Sequence, residues 1–145
     1  MKIYLAGPLF SSAEREWNLR LAILLRGFGH QVFLPQEQEP RELYARGIFE
    51  TDRQGIDDSE VVVALMDGPD PDAGTAWECG YAYGKKPIVL IRTDFRRLGR
   101  EGLGPYNPML AESASVHIEL PFASVEEAAG VLCRALDSLL EPSER

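Results

Sequence analysis

The sequence predicts a doubly wound α/β fold, a sheet of about five parallel strands with helices on both faces. Short apolar runs alternate along the chain with longer segments of helical period. Two of these runs, Val61-Val-Val-Ala-Leu65 and Ile88-Val-Leu-Ile91, are apolar at every position. Strands of that kind belong to a sheet covered on both sides.

Lys2–Ala6 reads as the first strand, ended by Gly7-Pro8, with Ser11 or Ser12 as the cap of a helix from about Ala13 to Gly27. Within it Trp17, Leu21, Leu24, Leu25 and Phe28 recur near helical spacing, which places Trp17 in the core. Gln31–Leu34 reads as the second strand and Arg41–Asp58 as an irregular polar helix. Val61–Leu65 is the third strand, Thr75–Lys85 the third helix and Pro87–Ile91 the fourth strand. Val116–Leu120 is a weaker fifth strand, and Ser124–Leu140 closes the chain as a helix with Val125, Ala128, Leu132, Ala135, Leu136 and Leu139 on one side. The order is that of a flavodoxin-like or Rossmann-like sheet. Ligands of such sheets bind beyond the carboxyl ends of the strands, here the loops Gly7–Ser12, Met66–Thr75 and Thr93–Pro108. Arg92–Gly104, charged and rich in glycine, reads as a mobile loop.

With 145 residues, 45% of them hydrophobic, the expectation is one domain over 1–145. A chain of that length buries about 68–70% of its unfolded surface. Lys plus Arg number 15 against 23 Asp plus Glu, and the net charge of −8 supplies no basic footprint for a nucleic-acid polymer. The opening residues have too short an apolar run for a signal peptide, and no stretch approaches the roughly 20 apolar residues of a membrane span. A cytoplasmic protein without membrane contact is the expectation. Cys79 and Cys133 lack paired spacing and read as reduced thiols rather than a disulfide or zinc site.

The residues that carry chemistry lie at the strand ends. Glu78 follows Asp72 in Asp72-Ala-Gly-Thr-Ala-Trp-Glu78-Cys-Gly80, a carboxylate near a helix start with a second acid in the loop before it. Thr75-Ala-Trp-Glu78 has the spacing of a capping box, with Thr75 as N-cap and Glu78 reaching back to its N–H. The same position suits attack on a sugar carbon, because the helix dipole keeps a carboxylate there ionised. The two readings are compatible. Ala76, Gly80 and Gly84 form a small-residue stripe that lets this helix approach the sheet, and Glu78 lies about 160° around the helix from Gly80. The acids Asp52, Asp57, Asp58, Asp67, Asp70 and Asp72 read chiefly as a solvated rim, with Asp72 and Asp52 the ones favoured for proton donation. Tyr4 either orients Glu78 or is an ordinary strand tyrosine; Phe10, Trp17 and Trp77 are candidates to stack on a base. Cys79 reads as a buried helix cysteine, since neither His30 nor His117 sits in a recognisable pairing. No serine elbow, P-loop or GxGxxG is present, the aspartates lack EF-hand spacing, and no metal or other cofactor is expected.

Three segments together resemble the nucleoside 2-deoxyribosyltransferase family: Ile3-Tyr4-Leu5-Ala6-Gly7-Pro8, Asp72-x-Gly74-Thr75-Ala76-x-Glu78-x-Gly80-x-Ala82, and Tyr106-Asn107-Pro108-Met109-Leu110. The resemblance runs over nearly the whole chain in the same order, and its central motif is the specific one. It implies that Glu78 attacks the anomeric carbon of a 2′-deoxynucleoside, that the base departs, and that the covalent deoxyribosyl group passes to another base or to water. It assigns base recognition and proton donation to Asp72 with help from Asp52 and sets Tyr4 beside the nucleophile; Gly7, Gly74, Asn107 and Met109 in the matched segments, and Phe10 from its place in the first strand-end loop, are the expected substrate-binding residues. Asn107 is expected at the sugar hydroxyls of a neighbouring subunit's site, in a homo-oligomer of at least two chains. The implied partners are a 2′-deoxynucleoside and a free nucleobase.

Two rivals remain. A hydrolase of the same superfamily acting on 2′-deoxynucleoside 5′-monophosphates would need phosphate donors near Gly7–Ser12; Ser11 and Ser12 could serve, yet Gly7-Pro8-Leu9-Phe10 offers neither extra glycines nor a basic residue. A non-enzymatic receiver-like signalling module would use Asp67 at the end of the third strand. It would also want an acidic pair after the first strand and a lysine after the fifth, where the chain has Gly7-Pro8 and Pro121-Phe122.

Overall fold

The protein is described by a computed structural model covering residues 1–38, 44–96, 101–102 and 105–140. Five parallel strands form one sheet in the order β2-β1-β3-β4-β5. They are β1 (Lys2–Ala6), β2 (Gln31–Phe33), β3 (Val61–Leu65), β4 (Ile88–Arg92) and β5 (Val116–Glu119). The expected flavodoxin-like sheet is the observed one. Because the chain moves outward from β1 in one direction to β2 and in the other to β3, a crevice opens between the carboxyl ends of β1 and β3.

Side chains alternate between the two faces of each strand. Ile3, Leu5, Val61, Val63, Val89 and Ile91 point to α1 (Ser12–Gly27) and α5 (Val125–Leu140), meeting Leu21, Leu25, Leu132 and Leu136. Tyr4, Ala6, Val62, Ala64, Ile88 and Leu90 point to the opposite face, with Ile56 of α2 (Ala45–Asp58), Cys79 and Ala82 of α3 (Ala73–Ala82) and Leu110 of α4 (Pro108–Ala111). Trp17 packs at the margin of the first cluster, as expected of a core residue.

Local chemistry sets the element ends. Ser11, not Ser12, caps α1 in a capping box with Glu14. β2 stops at Phe33, one residue short of the expected boundary, and Pro35 opens a 3₁₀ turn over Pro35–Glu37. α2 begins at Ala45, and the expected start at Arg41 lies outside the described residues. Lys86 ties off its end by donating to the carbonyls of Ile56 and Ser59, the terminus at which a cation is favoured. β4 runs on through Arg92, so that residue belongs to the sheet rather than to the loop first assigned to it. Ser124 and Glu127 form a second capping box at the head of α5.

α3 departs most from expectation. Asp72 is its N-cap, accepting from the Thr75 N–H at 2.9 Å and the Thr75 hydroxyl at 3.2 Å, so the helix starts at Ala73 and Thr75 lies inside it. It ends at Ala82, with Gly84 beyond it in the left-handed region. The face against the sheet is Thr75, Cys79 and Ala82, all buried. The stripe of Ala76 and Gly80 does not bring the helix onto the sheet as expected: Gly80 is exposed, and a Cβ there would meet nothing within 4 Å.

Candidate active site

β1 and α3 converge on one carboxylate. Tyr4 is fully buried on the α2/α3 face of β1, its ring stacked on Phe33 at 5.3 Å, and its hydroxyl donates to Glu78 Oε1 at 2.7 Å. The capping-box reading of Glu78 therefore falls, since Asp72 is the cap and the Glu78 carboxylate turns to Tyr4. Glu78 also lies in the middle of α3, beyond the first turn where the dipole acts. Its ionisation is controlled by other forces. Glu78 is half-buried as a residue, but its carboxyl group occupies the sheltered end, and this burial pushes its pKa up to about 7. The Tyr4 hydrogen bond opposes the shift, while the negative charges of Asp52 and Asp72 reinforce it. The group thus changes charge near neutral pH, beside β1, the strand at the switch point of the sheet. Perturbation of this kind marks functional carboxylates.

Asp72 and Asp52 approach this carboxylate from two elements, the cap of α3 and the body of α2. Asp72 presents Oδ2 to its own helix, and Gly74 leaves room for that contact: a Cβ at Gly74 would stand 3.1 Å from Asp72 Oδ2. Gly7 is similarly constrained, since a Cβ there would meet Leu65 Cδ1 at 3.0 Å. α2 is held to α3 by Asp57, which accepts from the Tyr81 hydroxyl at 2.9 Å and from Arg53 at 2.6 Å. Phe10 is 76% exposed at the start of α1. Trp77 is half exposed, stacked on Tyr81 at 5.3 Å and edge-on to Phe49 at 5.2 Å.

Asn107 and Met109 are not brought to Glu78 within the chain. They line a cavity of about 660 Å³ between α3 and α4, bounded on the α3 side by Ala73, Ala76 and Gly80. Glu78 lies about 160° around the helix from Gly80. Asn107 caps α4, its Oδ1 accepting from Met109 N–H at 2.9 Å, and Met109 is 85% exposed. His117, unpaired in the sequence reading, holds this segment in place. Its Nε2 lies 2.8 Å from the Ala111 carbonyl and its Nδ1 3.4 Å from the buried Tyr106 hydroxyl.

Sequence reasoning missed a polar lock beside the crevice. Asp67 accepts from the Thr93 N–H, the Thr93 hydroxyl and the Asp94 N–H at 2.5–2.9 Å. Arg92, 4% exposed, donates to the carbonyls of Met66, Gly68 and Arg96. Together they fasten the loop leading to Asp72 onto the end of β4. An arginine closing an otherwise apolar strand was the available signal. Cys79 is buried, and burial pushes its thiol up to about 12, the environment of a structural rather than a nucleophilic cysteine. Among the described residues no group of three His, Cys, Asp or Glu side chains is placed to hold a metal ion, and no helix is long and apolar enough to cross a membrane.

The family model for nucleoside 2-deoxyribosyltransferase matches residues 3–128. Among solved structures, a conserved protein from Enterococcus faecalis V583 aligns with TM-score 0.72 and 28% identity, covering 93% of this chain and 98% of that one. A 2-deoxyribosyltransferase from Bacillus psychrosaccharolyticus aligns with TM-score 0.69 and 27% identity over 89% and 90% of the two chains. The CMP N-glycosidase BcmB of Clostridium botulinum shares the fold at 18% identity and TM-score 0.66, over 93% of this chain and 99% of that one. A search of curated protein sequences found no match. The crevice carboxylate, the sheet that frames it and the matched segment agree, and the chain belongs to the nucleoside 2-deoxyribosyltransferase family.

Proposed function

We propose that the protein transfers the 2-deoxyribosyl group of a 2′-deoxynucleoside to another nucleobase, with water as a competing acceptor, through a covalent ester on Glu78. The observation that carries this reading is the Tyr4–Glu78 pair, a carboxylate of α3 held at 2.7 Å by the hydroxyl of a buried tyrosine on β1, the strand at the sheet's switch point, with burial pushing its pKa up. Glu78 Oε2 attacks C1′ as the glycosidic bond breaks, and its negative charge stabilises the oxocarbenium character of that carbon. Tyr4 holds the other oxygen, which sets the direction of attack. The bonding pair leaves with the base, and a proton carried by one of the neighbouring carboxyls, Asp72 or Asp52, passes to a ring nitrogen; while one of them holds it, one fewer negative charge opposes the ionisation of Glu78. Since Asp72 Oδ2 serves the helix cap, Oδ1 is the atom that would address the base. The incoming base, or water, then displaces Glu78 from the same face that the first base left, and the β configuration is retained. A 2′-hydroxyl disfavours the oxocarbenium-like transition state, so 2′-deoxynucleosides are the substrate class.

The separation of Asn107 from Glu78 within one chain supports the expectation that Asn107 serves the site of a neighbouring subunit. On this reading, mixing inactive Glu78→Ala and Asn107→Ala subunits restores part of the activity through hybrid sites. Failure with subunit exchange demonstrated would remove Asn107 from the shared site. The receiver-like alternative is disfavoured by Asp67, whose carboxylate is committed to Thr93 and Asp94. Incubation with deoxyinosine plus adenine, and with deoxyinosine alone, tests the main reading by chromatography of the products. Transfer yields deoxyadenosine and hydrolysis yields deoxyribose with free hypoxanthine. No glycosidic cleavage of any 2′-deoxynucleoside would refute it.

A further inference from the structure

We propose that Gly55 and Phe33 are positioning residues for the nucleophile: the bare backbone of Gly55 admits the tip of the Phe33 ring, and that ring walls the tyrosine that holds Glu78. The inference rests on the deoxyribosyl-transfer reading for the role of Glu78, and on an unbroken line of contacts for the rest. Phe33 closes β2, an edge strand, and is the register partner of Tyr4 on β1. Register partners on neighbouring strands share a face, and here the two rings stack at 5.3 Å with 16° between their planes. The Tyr4 hydroxyl then donates to Glu78 Oε1 at 2.7 Å.

Gly55 lies inside α2, where glycine is a poorer helix former than alanine, and its φ is outside the left-handed region that would call for it. What it supplies is space. A Cβ at this position would stand 2.6 Å from both Cε1 and Cζ of Phe33 and 2.8 Å from Cε2, closer than carbon atoms approach. α2 is pinned around Gly55: Lys86 donates to the Ile56 and Ser59 carbonyls, the Ser59 hydroxyl donates to the Gly55 carbonyl at 2.7 Å, and Asp57 accepts from the Tyr81 hydroxyl of α3 at 2.9 Å. The Phe33 ring, by contrast, is half-buried and borders a cleft of about 360 Å³ shared with Gln38 and Asp58. With a methyl group at position 55 the ring turns outward into that cleft, and Tyr4 loses its wall. A loosened hydroxyl holds Glu78 less well, and its bond is the one that opposes the upward push of burial, of Asp52 on α2 and of Asp72 at the head of α3. Cys79, next to Glu78 on α3, adds no charge near neutral pH, its thiol being pushed up to about 12.

The test follows the ionisation of Glu78 in two ways, from the ascending limb of kcat/KM against pH and from NMR titration of its carboxyl carbon, which needs no substrate. Gly55→Ala is expected to move both upward by about half a pH unit or more and to lower kcat/KM at neutral pH by about threefold. In a Tyr4→Phe background the same substitution should move neither, since no hydroxyl remains to misplace. Phe33→Leu removes the stacked ring without crowding the helix; it should shift the ionisation in the same direction, and it decides the matter if Gly55→Ala does not fold. An unmoved ionisation in the folded variants would overturn the proposal, as would an equal shift with and without the Tyr4 hydroxyl. So would a downward shift, which would mean that α2 has withdrawn and taken Asp52 away from Glu78. If no form cleaves a 2′-deoxynucleoside, the transfer reading fails, and the carboxyl titration alone then decides whether Gly55 and Phe33 act on Glu78 through Tyr4.

Discussion

The two faces of the sheet are built from the same strands yet do different work. On the α1/α5 face, alternate strand positions carry Ile3, Leu5, Val63, Val89 and Ile91, and branched aliphatic side chains fill the space up to Leu25, Leu132 and Leu136. The α2/α3/α4 face uses the intervening positions, and there, beside Val62, Ile88 and Leu90, the strands carry Tyr4, Ala6 and Ala64. Small strand residues and one tyrosine leave room for a carboxylate to enter from α3, and the polar lock of Asp67 and Arg92 closes the adjoining strand ends. One face thus stores packing energy. The other holds an acid whose charge is costly to bury, which suits catalysis at the expense of stability.

The contrast makes graded predictions. Glu78→Ala should lower glycosidic cleavage by at least about 10⁴-fold while the far-ultraviolet circular dichroism spectrum stays that of the wild type, since Asp72 rather than Glu78 caps α3. On the opposite face, Leu132→Ala should cost about 2–5 kcal/mol in denaturant unfolding, with kcat/KM little changed in the folded fraction. An activity loss there without a stability loss would break the division between the faces. Asp72→Asn retains a good N-cap and so should leave the melting temperature near that of the wild type. It should nevertheless slow departure of adenine or hypoxanthine by about 10²-fold, and much less with an activated leaving group, because an amide delivers no proton. Tyr4→Phe should have the smallest effect, about tenfold at neutral pH, and a distinctive signature. Removing the bond that opposes the burial shift moves the ascending limb of kcat/KM against pH above the wild-type position near 7. A limb that stays in place would separate Tyr4 from the ionisation of Glu78.

The same shift carries a stability prediction. Folding raises the Glu78 pKa from 4.5 to about 7, so the folded state holds a proton that the unfolded state releases between those values. Stability should fall as pH rises through that window and level off above it. In Glu78→Gln this component of the pH dependence should vanish, which paired urea titrations at pH 5 and pH 8 would detect.

The parallel sheet was legible because Val61–Leu65 and Ile88–Ile91 are apolar throughout, and only a two-sided burial explains such runs. The Asp72–Glu78 segment stood out by residue type and spacing, but its local geometry did not. Thr75 and Asp72 are both good caps, and sequence alone does not say which backbone turn forms first. The choice decided everything else: with Asp72 as cap, Glu78 leaves the first turn, meets Tyr4 and is governed by burial instead of the helix dipole. The Ala76–Gly80 stripe was visible as a periodicity, yet small residues are equally suited to a tight helix contact and to an open cavity wall, and the wall is what the fold makes of them. Arg92 and Asp67 were hidden for another reason, since their partners are mostly backbone groups in loops far apart in sequence.

The account stands or falls on the nucleophile. Incubation with a 2′-deoxy-2′-fluoroarabinosyl nucleoside, whose fluorine slows the second displacement, should trap the sugar on the protein, and peptide mass spectrometry should place it on Glu78. A label on another carboxylate, or catalysis that proceeds with no trapped sugar while Glu78→Ala remains active, would contradict it.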